Sequence, residues 1–243
     1  MKPIQTQSGK SHILYDAELP VQATPALFDA AAWQARGQLL GSARGRGETA
    51  FVGDGERQYV LRHYCRGGLP GRFIRDRYIW TGLERSRPWR EWHLTAELFR
   101  RGLPVPQPVA ARVVRHGLCY SADLMTVRIP DSTSLAQQLG QRALGAAEWH
   151  AVGACIRRFH DAGLDHADLN AHNILLTPAG TYLIDFDRGR LRAAGDWQQH
   201  NLERLLRSLR KLYTENLDFH FTENDWQALL AGYGAQNADN AST

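Results

Sequence analysis

Residues 166–187 constrain this chain more than any other stretch. They read His166-Ala-Asp168-Leu-Asn170-Ala-His172-Asn173-Ile-Leu-Leu, then Thr-Pro178-Ala-Gly180, then Thr-Tyr-Leu-Ile-Asp185-Phe-Asp187. The apolar runs 174–176 and 182–184 flank a Pro-Ala-Gly turn, which is the pattern of a β-hairpin. Asn173 and Asp185 are equidistant from Ala179, so a hairpin centred there brings both side chains to one end. Asp168 stands five residues before Asn173, in the loop feeding the first strand. An amide and two carboxylates thus gather at one point. Such oxygen donors suit Mg²⁺, which takes few protein ligands and completes its shell with water and phosphate.

A carboxylate able to accept a hydroxyl proton turns such a set into a phosphoryl-transfer site. H-x-D-L-x-x-x-N followed by a strand ending in Asp-Phe is the arrangement of protein kinases. In it Asp168 is the catalytic base and Asn173 a Mg²⁺ ligand. Asp185 links the metal to the β- and γ-phosphates, and His166 is structural, fixing the backbone around Asp185. Two other readings compete. His160, His166 and His172 recur every six residues and suggest a metal cluster, but that interval does not share a helix face, and zinc pairs sit closer together. Asp168 and Asp185 could also merely solvate a loop, which leaves the apolar strands around them unexplained.

The 243 residues, 43% hydrophobic and 22% charged, are enough for one large core or two small lobes. No apolar run approaches the ~20 residues of a spanning helix. The first twenty residues lack the apolar centre of a secretion signal. Cys65, Cys119 and Cys155 suit free thiols, so the expected compartment is cytoplasmic. Strand-like runs at 38–40, 49–52 and 57–64, two more strands over 104–127 joined near His116-Gly117, and a helix over about 88–101 fill the first half. In the second half Trp149, Val152, Ile156 and Phe159 recur at helical spacing before Gly163, a stripe follows at Leu202, Leu205, Leu206, Leu209 and Leu212, and a last helix covers about 223–233. The expected fold is α+β and bilobal, protein-kinase-like. A small antiparallel-sheet N-lobe with one helix spans 1–130, and a mainly helical C-lobe spans 131–243.

The first half supplies candidates for binding ATP. Gly45 and Gly47 close a glycine-rich connection between two strands, where backbone N–H groups would cover phosphates. The spacing is not G-x-G-x-x-G. In the next strand Arg62 takes the place of the usual phosphate-binding lysine, and arginine can still bind phosphate and pair with a carboxylate. Its expected partner on the following helix is Glu91, about one turn in, chosen over Glu84 and Glu97.

The acceptor reads as something other than a protein. Ala167 replaces the arginine of H-R-D, and Asn170 replaces the lysine usual two residues after the base. Ten residues separate Asp185 from Asp196-Trp197, too few for a peptide-docking segment. The net charge of +4 is concentrated: between Arg62 and Arg101 stand ten arginines against four acidic residues. That stretch is either a solvated face or a surface for an anionic partner such as nucleic acid, phospholipid or phosphorylated glycan.

Taken together, Leu61-Arg-His-Tyr64, Asp76-Arg-Tyr-Ile-Trp-Thr-Gly-Leu-Glu-Arg85, Asp168-Leu-Asn-Ala-His-Asn173, Ile184-Asp-Phe-Asp-Arg-Gly189 and Asn201-Leu-Glu-Arg-Leu-Leu-Arg-Ser-Leu209 resemble the 3-deoxy-D-manno-octulosonic acid (Kdo) kinases of the lipopolysaccharide core kinase group. Arginine in the lysine position fits that group. The resemblance implies ATP- and Mg²⁺-dependent phosphorylation of the 4-hydroxyl of Kdo on a lipid A precursor, at the cytoplasmic face of the inner membrane. It gives the arginines, with Tyr78, Trp80, Trp89 and Trp92 among them, a role at an anionic lipid headgroup. No nucleic acid is expected as partner. An antibiotic-type phosphotransferase would share Asp168, Asn173 and Asp185, but needs an acidic pocket for cationic acceptors. A non-catalytic nucleic-acid-binding protein explains the charge and not the Asp/Asn/Asp set.

Overall fold

Strand pairing begins at the N-terminus. The two-residue turn Gly9-Lys10, with Gly9 at φ +58, closes a hairpin of β1 (Pro3–Ser8) and β2 (Ser11–Asp16). A 3₁₀ turn (Pro25–Phe28) and α1 (Ala30–Ala35) follow. Next come β3 (Leu39–Arg44), β4 (Glu48–Gly53), β5 (Gln58–His63), β6 (Tyr78–Ile79), α2 (Arg87–Arg100), β7 (Pro108–His116) and β8 (Cys119–Val127). The computed structural model describes residues 1–44, 48–53, 55–65, 76–216 and 218–240. The chain divides into two compact units, Met1–Arg100 with Pro106–Ile129, and Arg101–Val105 with Pro130–Thr243.

In the first unit the strands form one antiparallel sheet in the order β1-β2-β7-β8-β5-β4-β3, with β6 also paired to β8. More strands are present than the sequence suggested, because the N-terminal hairpin and β6 join the sheet. Leu27, Phe28 and Trp33 cover one face over Ile13, Val52, Leu61 and Met125. Helix α2 covers the other through Trp89, Trp92 and Ala96, over Leu14, Tyr64, Val113 and Leu124. Each tryptophan removes on the order of 200 Å² from water, worth about 5 kcal/mol before entropy is counted. This corrects one expectation. Tyr78, Trp89 and Trp92 are buried core residues and present no aromatic surface to a lipid; Trp80 alone of that set is partly exposed. Buried Asp123 on β8 accepts 2.7 Å hydrogen bonds from Arg112 of β7 and His63 of β5, tying three adjacent strands together.

The second unit carries β9 (Thr133–Ser134), α3 (Leu135–Leu139), α4 (Ala146–Asp161), β10 (Leu164–Asp165), β11 (Ile174–Thr177), β12 (Gly180–Leu183), β13 (Arg190–Leu191), α5 (Trp197–Glu215) and α6 (Glu223–Asn240). Trp149, Val152, Ile156 and Phe159 of α4 are buried, as their spacing required. Helices α4 and α6 meet backbone to backbone. A Cβ on Gly153 would lie 2.0 Å from the Leu229 carbonyl oxygen, and one on Gly232 would lie 2.2 Å from that of His150. Gly163, at φ +82, turns the chain out of α4 into β10, and its carbonyl accepts from the Arg192 amide at 2.8 Å. Helix α5 buries Leu202, Leu205 and Leu209 and exposes Arg204, Arg207, Arg210 and Lys211. Helix α6 runs past Tyr233 to Asn240. No described helix is long and apolar enough to cross a membrane.

Candidate active site

The loop leaving β10 is held by a carboxylate that the sequence reading passed over. Asp165 is buried, accepts from Asn201 Nδ2 on α5 at 3.0 Å, and pairs with Arg190 and Arg192 at 3.3 and 3.0 Å. Burial alone would raise its pKa. The hydrogen bonds from Asn201, Arg192, Arg190 and the Ala167 backbone outweigh burial and hold the carboxyl below its usual value. Asn201 also accepts the backbone N–H of His166 at 3.0 Å, so one amide fixes two successive residues of the loop. Beyond its place in a quoted motif, its sequence signal was an asparagine on the apolar side of an otherwise leucine-lined helix.

His166 is buried, and that burial lowers its pKa and keeps it neutral. Its Nε2 lies 3.0 Å from the Ile184 carbonyl oxygen. A carbonyl only accepts, so Nε2 carries the proton. This bond reaches from the loop to the residue before Asp185, where His166 was expected to act. Ala167 and Asp185 both occupy the left-handed region, at φ +60 and +66. Non-glycine residues held there cost on the order of 1–3 kcal/mol and persist only where neighbours enforce them. Here those neighbours are the Asp165 cluster, the His166–Ile184 bond and a 2.7 Å bond from the Asp168 amide to the His166 carbonyl.

Asp168 has its carbonyl tied down and its carboxylate free to face solvent. The carbonyl accepts from the side-chain amides of Asn170 and Asn173 at 2.9 and 3.0 Å. The carboxylate is half exposed, with Arg204 Nη1 of α5 at 3.8 Å. Asn173 is buried, and since its amide nitrogen is engaged, its amide oxygen is the end left to accept or to ligate. The hairpin register is one residue tighter than the sequence suggested. Thr177 pairs with Gly180 around Pro178-Ala179, so Asn173 faces Ile184, whose amide donates to the Asn173 carbonyl at 3.0 Å. Asp185 follows one residue later, at the same end of the hairpin. The set of one amide oxygen and two carboxylates fits a hard divalent cation that keeps much of its water.

The histidines do not form a cluster. His160 hydrogen-bonds Tyr233 at 2.8 Å and packs edge-on against Trp197, and burial pushes its pKa down to about 4. His172 is exposed. Among the described residues no group of three or more His, Cys, Asp and Glu gathers as a metal site.

In the first unit Arg62 and Glu91 meet as expected. Arg62 Nη2 is 2.5 Å from Glu91 Oε2, and Glu91 is only 2% exposed. Tyr64, two residues on and therefore on the same face of β5, donates to the same carboxylate oxygen. It also lies 3.1 Å from Arg62 Nη2, with the guanidinium 4.7 Å over its ring. Burial, and then the charge of Glu91, push the Tyr64 pKa well above its usual value, so it stays a donor. Tyr64 was read only as part of a motif; its spacing of two from Arg62 was the available signal. Gly45 and Gly47 lie outside the described residues.

Residues 30–233 match the model of the lipopolysaccharide kinase (Kdo/WaaP) family. The chain is 41% identical over 233 residues to a 3-deoxy-D-manno-octulosonic acid kinase of Vibrio vulnificus (strain YJ016), covering 96% of this chain and 98% of that one. It is 47% identical over 214 residues to the enzyme of the same name from Xanthomonas axonopodis pv. citri (strain 306), covering 87% and 85%. A solved structure of WaaP in complex with acyl carrier protein superposes with a TM-score of 0.52 at 20% identity, over 85% of this chain and 84% of that one, a likeness of fold.

Proposed function

Because the chain belongs to the lipopolysaccharide kinase (Kdo/WaaP) family, we propose that it transfers the terminal phosphate of ATP to the 4-hydroxyl of a Kdo residue on a lipid A precursor, during assembly of the lipopolysaccharide core. The observation that carries this reading is the likeness to proteins named 3-deoxy-D-manno-octulosonic acid kinase, 41% identical over 96% of the chain and 47% identical over 87% of it. The site chemistry is compatible with it. Asp168 takes the proton of the acceptor hydroxyl as that oxygen bonds to the terminal phosphorus and ADP leaves with the electrons of the broken bond. Asn173 and Asp185 would hold Mg²⁺, which when bound supplies positive charge to the β- and γ-phosphates. Arg204 stands beside Asp168 and offers a cation where the loop carries Asn170 in place of lysine. Arg62, aimed by Glu91 and Tyr64, binds the phosphates of ATP together with the backbone around Gly45 and Gly47. The acceptor's lipid anchor puts the reaction at the cytoplasmic face of the inner membrane.

Label transfer from γ-labelled ATP tests the acceptor. Incorporation is expected into Kdo-bearing lipid A precursor, and neither into the same lipid without Kdo nor into an aminoglycoside. Equal labelling of the Kdo-free lipid, or of the aminoglycoside, would overturn the assignment.

A further inference from the structure

Among the described residues the two most exposed large apolar side chains are neighbours. Leu118, 85% exposed, sits in the β7–β8 turn, and Ile79, 70% exposed, lies on β6. Ile79 pairs with Cys119, and the Trp80 amide donates to the Leu118 carbonyl at 2.9 Å, so backbone hydrogen bonds hold the three residues at one end of the sheet. Trp80 stacks on His12 and meets the edge of Tyr120, which holds its ring at the end of the sheet. A solvated protein rarely leaves such a group open without a use for it.

Basic side chains predominate around this group. Arg115 lies 5.2 Å over the Trp80 ring, and its amide donates to the Lys10 carbonyl, which brings the β1–β2 turn alongside. Lys10, Arg115 and His116 are exposed. Arg77 precedes β6, and its charge is offset in part by Asp76, 3.4 Å away. His116 is lowered by desolvation and by the positive charges of Arg77 and Lys10, with Asp76 acting oppositely; these charges therefore stand close enough to be felt.

We propose that this end of the sheet, with Leu118, Ile79 and Trp80 ringed by Lys10, Arg77 and Arg115, is a docking surface for an anionic phospholipid bilayer. The inference rests on the reading that the acceptor is lipid-anchored. Two aliphatic side chains reach below the headgroups, the indole sits at their level, and the cations meet their phosphates. Charge complementarity selects the occupant: an apolar tip with a basic collar matches a surface that is negative outside and hydrocarbon within. A second copy of the same basic surface would be repelled.

Flotation with phosphatidylglycerol-containing vesicles tests this, using the full chain and its Ile79→Ser/Leu118→Ser variant. Each basic residue near an anionic surface changes partitioning by roughly fivefold, and the wild type is expected to float with these vesicles and not with pure phosphatidylcholine. The double variant is expected to partition at least about tenfold more weakly, with unchanged turnover on a deacylated, water-soluble Kdo acceptor. Equal flotation of the double variant would overturn the proposal. So would a wild type that stays unbound, and if it still phosphorylates the soluble acceptor, the proposed reaction stands without this surface. A dimer in light scattering that the double variant abolishes, without vesicle binding, would assign the tip to a second copy. Flotation without any phosphorylation of Kdo would instead refute the proposed reaction and leave the docking surface in place.

Discussion

Arg62 shows why arginine and lysine would differ at the proposed phosphate site. Its guanidinium bonds Glu91, approaches Tyr64 Oη and lies over the Tyr64 ring, all within one buried cluster. A lysine ammonium is a compact point charge without the planar fork, and it cannot make these contacts together. Arg62→Lys is therefore expected to lower kcat/KM for ATP by about tenfold or more. Steady-state kinetics checks this, and wild-type kinetics in that variant would show that the fork is dispensable. The same scale marks the limits of sequence reading. Arg62 and Glu91 were legible because each sits at a fixed place relative to its own strand or helix. Asp165 and Asn201 were not, because they are 36 residues apart and nothing local in either segment reports their hydrogen bond.

Helices α4 and α6 are joined without intervening side chains at Gly153 and Gly232. A methyl at either would meet a carbonyl oxygen of the opposite helix well inside contact distance. Inserting atoms into so tight a contact costs roughly 1–3 kcal/mol, and for a domain of this size each kcal/mol lowers Tm by about 2–4 °C. Gly153→Ala should therefore unfold several degrees earlier in a thermal melt, and an unchanged Tm would show that the helices separate freely. Most elements were legible because their periodicities are strong: the leucine stripe of α5, the tryptophan and aliphatic face of α4, and the two strands meeting near Gly117. The hairpin register was missed because Thr177 closes a two-residue turn. Its Oγ1 accepts the amides of Ala179 and Gly180 at 3.0 and 3.1 Å, one residue tighter than symmetry about Ala179 implies. That shift leaves Asp185 past the end of the ladder, where its left-handed backbone is held by the packed loop.

At the scale of the molecule, the sequence divides its tasks between two units. The first carries the Arg62–Glu91–Tyr64 cluster on a sheet with a helix against one face; the second carries the loop and hairpin with Asp168, Asn173 and Asp185. The patterning changes from strand-like to helix-like near residue 130, and that change is readable in the sequence. The return of Arg101–Val105 to the second unit was not, since it depends on tertiary bonds: the Leu183 amide to the Pro104 carbonyl at 3.1 Å, and Arg158 to the Gly102 carbonyl at 3.2 Å. The central claim is that Asp168, exposed at the end of a rigidly held loop, accepts the proton during phosphate transfer to Kdo. Single-turnover transfer of labelled phosphate from ATP to a Kdo-lipid, comparing wild type with Asp168→Asn, tests it most directly. Removing a general base costs roughly 10²–10⁴ in rate, so the account predicts a loss of that size with ATP affinity and circular dichroism unchanged. Transfer in the variant at close to the wild-type rate would contradict it.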